Sequence, residues 1–165
     1  MLAAWNAAWD PKNTFFLRDL TPAGYDALNT RVRALLARHQ ELVGDMHRAG
    51  VAFLAGTDAN GWNPVLPGFG LHEELALLVE SGLTPMEALQ CATRNPALYF
   101  GRLAETGTLE TGKLADLVLL NADPLRDIHN TQKVEAVVMR GRYYSRLDLD
   151  VMLAHAAAFA AKGHS

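Results

Sequence analysis

Between Thr21 and Asn60 the hydrophobic pattern changes period once, and that change constrains the fold more than anything else in the chain. In "TPAGYDALNTRVRALLARHQELVGDMHRAG", Thr21 suits a helix N-cap and Pro22 the first helical position, where its missing N–H is no loss. Leu28, Val32, Leu35, Leu36, Val43 and Met46 then recur at spacings near three and four, which predicts one long amphipathic helix with a stripe facing a core. Gly50 fits the stop position. "VAFLA", residues 51–55, follows at once and is apolar throughout, as in a strand covered on both faces, the habit of parallel sheets. Helix, short turn and buried strand are the grammar of an α/β fold.

The pattern continues helically beyond a Gly- and Pro-rich loop, "NGWNPVLPGFG". "LHEELALLVESG" places Leu71, Leu75, Leu78 and Val79 on one face, with Gly82 as terminator, and predicts a second helix. In "TPMEALQCATRNPALYFG", Thr84 and Glu87 form a capping box around Pro85; this third helix should end near Asn95, because the residue before Pro96 is pushed out of the helical region. From Glu105 onward "GTLETGKLADLVLLNADP" and "KVEAVVMRGRYY" are short β-rich runs, with "ADLVLL" a buried strand and Arg140–Gly141 a tight turn. A small β-subdomain is expected, its boundary between Gly101 and Gly107. The Ala-rich end, "MLAHAAAFAAKGHS", reads as a helix or a tail.

A compact domain of 165 residues buries roughly 70% of its unfolded surface, so a core is attainable. With 50% hydrophobic and 20% charged residues, intrinsic disorder is excluded. The formal charge of -3 comes with interspersed signs and no basic stripe, which argues against nucleic acid. The one cysteine, Cys91, cannot form an intramolecular disulfide, and no apolar run approaches membrane-spanning length; a soluble, cytoplasmic protein with no membrane partner is the expectation.

Chemistry concentrates where "FLAGTDAN" turns at Gly56 and presents Thr57, Asp58 and Asn60. Ligands of parallel α/β sheets sit outside the carboxyl ends of the strands, and a carboxylate there can hold a divalent metal or act as general base on a hydrolytic water. The alternative is that Asp58 caps its own turn, which position alone favours. His72 and Glu73 open the second helix and would project toward the same side as Asp58, either toward substrate or as a locally bonded His and a Glu favoured by the helix dipole. Asn60 is a further candidate substrate contact. His39, His47, His129 and His155 are scattered, and no HExxH or CxxC pattern occurs, so a self-contained zinc site is not expected. Cys91 sits among core-like neighbours and reads as packing, not as a nucleophile. Trp5, Trp9, Phe15 and Phe16 read as core or interface, and "LPGFG" lacks the context of a phosphate-binding loop.

In this order the motifs "MHRAGVAFLAGTDAN", "LHEELALLVESGLTPMEALQCATRNPALYFG", "GTLETGKLADLVLLNADPLRDI" and "KVEAVVMRGRYY" resemble the carboxyl-terminal part of the metal-dependent amidohydrolases, in the branch of imidazolonepropionases and Xaa-Pro dipeptidases. The resemblance implies an α/β fold, the C-terminal portion of a (β/α)8 TIM barrel over residues 1–104, part of a flanking β-sandwich over 105–145, and a helix or tail over 146–165. It implies that Asp58 is the last-strand metal ligand and the general acid/base in hydrolysis of an amide, cyclic amide or dipeptide C–N bond, and that His72 stands near the pocket mouth. It implies one or two divalent metal ions, zinc above all, and a small-molecule amide or peptide-like substrate.

The family's other ligands, a His-x-His pair on the first strand, a Lys or Glu on the fourth and histidines on the fifth and sixth, have no counterpart here. Hydrolytic zinc sites use about three protein ligands. The sequence therefore corresponds to the final third of such an enzyme, inactive alone, which should self-associate or lack an N-terminal barrel segment; strands from Thr108 onward should be short of partners. A non-catalytic interaction or assembly module built on the same piece of fold is the alternative, and an unrelated hydrolase with Asp58 as nucleophile is a third.

Overall fold

The computed structural model describes residues 21–59 and 67–162; Asn60, the tryptophans and phenylalanines of the first 16 residues, and any strand within residues 1–17 lie outside the described residues. Helix α1 spans Pro22–Arg48, 27 residues, and begins as its sequence dictates: the Thr21 hydroxyl accepts from the Gly24 N–H at 3.1 Å, with Pro22 at the first position. It ends in a Schellman motif. Gly50, at φ +82°, donates its N–H to the His47 carbonyl at 2.9 Å while Val51 donates to Met46 at 3.0 Å.

The stripe on α1 does not face a core as its periodicity predicts. Leu28, Val32, Leu35, Leu36 and Met46 are all exposed, Val32 at 53% and Leu35 at 55%. Contact is confined to the C-terminal end, where Gly44 is buried and Val43 packs against the core. Periodicity records that a face is meant to be covered; it does not say by what.

Residues 51–59 depart from the expected buried strand in a related way. They carry no strand pairing among the described residues, and their burial alternates: Phe53, Ala55 and Thr57 are half-buried, whereas Ala52, Leu54, Gly56 and Asp58 are exposed. A period of two belongs to an extended chain covered on one side only. Phe53 and Ala55 pack onto the helical core, and the opposite face bears Leu54 at 43% exposure.

Helix α2 (Phe69–Glu80) supplies Leu75, Ala76 and Leu78 to that core, and helix α3 (Pro85–Ala92) supplies Ala88 and Cys91. The capping box at the start of α3 is complete: the Glu87 carboxylate accepts from the Thr84 N–H at 2.7 Å, and the Thr84 hydroxyl accepts from the Glu87 N–H at 3.3 Å. The helix stops at Ala92, and a separate helix α4 spans Arg94–Tyr99. Pro96 therefore does not mark the end of a helix. It occupies the first turn of the next one, where its absent N–H would have had no partner within the helix.

The β part is an antiparallel three-stranded sheet ordered β1-β2-β3, with β1 at Leu117–Leu120, β2 at Val134–Met139 and β3 at Arg142–Tyr144. Arg140 (φ +52°) and Gly141 (φ +77°) make the expected two-residue turn between β2 and β3, and the Asp116 carboxylate accepts the Arg140 N–H at 2.6 Å. Strand β1 is not buried: Val118 is 59% exposed and Leu119 44%, as suits an edge strand whose face has no covering layer among the described residues. Residues 105–116, expected to be part of a β-rich run, form turns and irregular backbone instead.

A 3-10 helix, Ile128–Gln132, joins β1 to β2 and inserts Ile128 into the helical core beside Leu75 and Leu78. Helix α5 (Arg146–Lys162) follows the sheet, with Arg146 donating to the Val134 carbonyl at 2.8 Å.

Candidate active site

Asp58 lies at the far end of the 51–59 segment, exposed, with φ +49°. The left-handed region is unfavourable for residues bearing a Cβ, and Asp and Asn are among the few that enter it readily. Such a conformation occurs in tight turns and in functional loops alike. Three residues back the segment is fixed from the helical side. The Ala55 N–H donates to the Cys91 carbonyl at 2.8 Å, and the Asn95 side-chain amide donates to the Phe53 carbonyl at 3.0 Å.

His72 occupies the first turn of α2, half-buried, with its ring edge-on to Phe69 at a centroid distance of 6.0 Å. Its Nδ1 lies 3.0 Å from the Thr131 hydroxyl oxygen, and that hydroxyl in turn donates to the Ile128 carbonyl at 2.8 Å. A hydroxyl has one proton to give. With the Thr131 hydroxyl donating to Ile128, the complementary tautomer donates from Nδ1 and leaves the lone pair on Nε2. Burial lowers the imidazole pKa from its ordinary value, which favours the neutral ring. Glu73, beside it, is exposed.

The remaining candidates do not assemble into a catalytic set. Cys91 is buried, and desolvation, helped by the Glu87 charge, pushes its thiol up, so it packs and does not attack. His47 faces Glu87 at 3.6 Å, and His129 pairs with Asp127 at 2.8 Å. Among the described residues no group of three or more His, Cys, Asp or Glu side chains could hold a metal ion. Asp58 can supply one donor; these residues by themselves do not fit a hydrolytic metal. Sequence reasoning missed Asn95 and Thr131 altogether. Their partners lie 42 and 59 residues away, beyond the reach of any local pattern.

The chain belongs to the amidohydrolase family, whose model matches residues 17–143. Ochratoxinase of Aspergillus niger is 37% identical over 109 residues, 65% of this chain and 22% of that protein. Imidazolonepropionase of Geobacillus kaustophilus is 36% identical over 97 residues, 57% of this chain and 23% of its own length. Among solved structures, a Xaa-Pro dipeptidase with methionine bound in its active site superposes with a TM-score of 0.58 at 30% identity, over 64% of this chain and 25% of that one. The chain thus spans between a fifth and a quarter of the length of these three relatives. Amidohydrolases of this kind hydrolyse carbon–nitrogen bonds. No helix among the described residues is long and apolar enough to cross a membrane.

Proposed function

We propose that residues 44–143 form the Asp58-bearing part of an amidohydrolase active site that cleaves an amide, cyclic amide or dipeptide C–N bond, with the other catalytic groups supplied by polypeptide outside these 165 residues. The observation that supports this most is the placement of a carboxylate in a left-handed turn at the end of a segment whose covered side is bonded to α3 and α4. Asp58 would accept the proton of the attacking water and return it to the leaving nitrogen, serving first as base and then as acid. His72 would present its Nε2 lone pair to a donor on the substrate, an amide N–H being the natural match. The family's divalent metal, zinc above all, would supply Lewis acidity, but its binding needs donors beyond Asp58.

The exposed stripe on α1 favours one alternative, a non-catalytic assembly module that uses that face for docking. Expression of the locus with its in-frame upstream sequence, beside the 165-residue chain, separates the two. The proposal expects the longer product to hydrolyse members of a panel of Xaa-Pro dipeptides and cyclic amides and to hold stoichiometric metal by mass spectrometry, while the short chain does neither. Tight zinc or enzymatic turnover in the short chain alone would overturn it. A longer product inert toward the whole panel would favour the assembly module.

A further inference from the structure

We infer that Asn95 is a positioning residue for Asp58, acting through the backbone of the segment that presents it. The inference rests on the reading of Asp58 given above. Segment 51–59 has no strand pairing among the described residues, and its backbone is held there by hydrogen bonds of another kind. Two hydrogen bonds do this, and both arise from the junction of α3 and α4. Cys91 is the penultimate residue of α3, so its carbonyl is one of those a helix leaves without an internal partner, and it receives the Ala55 N–H at 2.8 Å. Asn95 follows the break at Thr93, whose φ of -128° and ψ of -79° are not helical, and its amide donates to the Phe53 carbonyl at 3.0 Å. The same amide nitrogen lies 3.9 Å from the Cys91 sulfur, which places the two anchors side by side.

Alternate residues of an extended chain point their backbone groups the same way. Phe53 and Ala55 therefore offer a carbonyl and an N–H to one side, and the α3–α4 junction answers both. The half-buried side chains of the same two residues pack onto the core cluster, so rotation and sliding of the segment are both opposed. Asp58 begins three residues beyond the last of these anchors, with no regular structure in between. Loosening at Phe53 should therefore reach the carboxylate. The break between α3 and α4 leaves the Cys91 carbonyl near the end of α3, where it is open to the Ala55 N–H.

Nuclear magnetic resonance of the purified chain tests this. In the unaltered protein a scalar coupling should be detectable across the hydrogen bond from the Asn95 side-chain nitrogen to the Phe53 carbonyl carbon. Its absence, together with rapid solvent exchange of the Asn95 amide protons, would overturn the inference whether or not any variant folds. Asn95→Asp keeps the shape but replaces the donor with an oxygen that repels Phe53. It should speed hydrogen exchange at the Ala55 N–H by about tenfold, and shift the Asp58 side-chain carboxyl resonance, while Leu78 in α2 and Val137 in β2 exchange as before. Uniform acceleration at all of these sites would mean that Asn95 merely stabilises the fold, and no acceleration would mean that it positions nothing. If the exchange result holds but Asp58→Asn leaves hydrolysis by the longer product intact, the reading of Asp58 fails and the role of Asn95 in ordering the segment stands.

Discussion

At Asp58 two demands meet, a backbone in the left-handed region and a carboxylate at the exit of an apolar segment. Asn tolerates that backbone about as well as Asp, so Asp58→Asn isolates the charge. In the longer product it should lower kcat by roughly 10²–10⁴-fold, the range for loss of a general acid/base, with an unchanged circular dichroism spectrum. A variant retaining its rate would remove Asp58 from the chemistry. His72 permits a test of pH dependence. Its folded pKa lies below the unfolded value of about 6.5, so between the two the unfolded chain binds more protons and stability rises with pH. Stability should therefore be full above that unfolded value and decline as pH falls through it toward the folded pKa. His72→Gln should flatten this part of the profile, measured as urea midpoints from pH 7 downward. The opposite slope would mean that the imidazole is protonated in the folded chain and that the Nε2 lone pair does not exist.

Elements whose signals are local were legible in the sequence. The Thr21 cap, the Thr84–Glu87 box, the stops at Gly50 and Gly82 and the Arg140–Gly141 turn each depend on residues within a few positions of one another, and each is present. Features set by distant partners were not. Pro96 lies in the first turn of a helix where it was expected to mark a helix end, because a first-turn proline and a terminating one look alike until the preceding break at Thr93 is known. Insertion of Ile128 beneath α2 had no signature either. The approach of α1 to α2 is of the same kind. Gly44 is buried where a Cβ would lie 2.5 Å from the Ser81 carbonyl oxygen. On an exposed helix Gly→Ala gains about 1 kcal/mol of propensity. Here the backbone oxygen cannot swing aside as a side chain would, and α1 would have to lift away. Gly44→Ala should destabilise the chain by roughly 1–3 kcal/mol, the range for overpacking, read from the shift in denaturation midpoint. A stabilised variant would show that α1 is not docked through this contact.

At the scale of the molecule, several of the apolar residues left in contact with water among the described residues fall into groups. Leu28, Val32, Leu35 and Leu36 make a helical stripe on α1; Leu147, Val151, Met152 and Phe159 lie exposed on α5; Leu54 faces outward from the segment that leads to Asp58. Isolated exposed leucines are ordinary, but a stripe spaced at four, three and one over two turns is a surface made for another surface. Whether the natural cover is polypeptide of the same protein or a partner, the described residues leave these faces uncovered, and the hydrophobic effect then favours association of copies. Sedimentation equilibrium across the micromolar range should return a weight-average mass above that of the monomer, rising with concentration. Paired Val32→Glu and Leu35→Glu changes keep good helix formers on α1 while placing two charges in the stripe, and should return the chain toward monomer without loss of helical signal. A clean monomer for the unaltered chain at every concentration would mean that the stripe needs no cover, and the inference from exposed apolar faces to a missing or associating partner would fail with it.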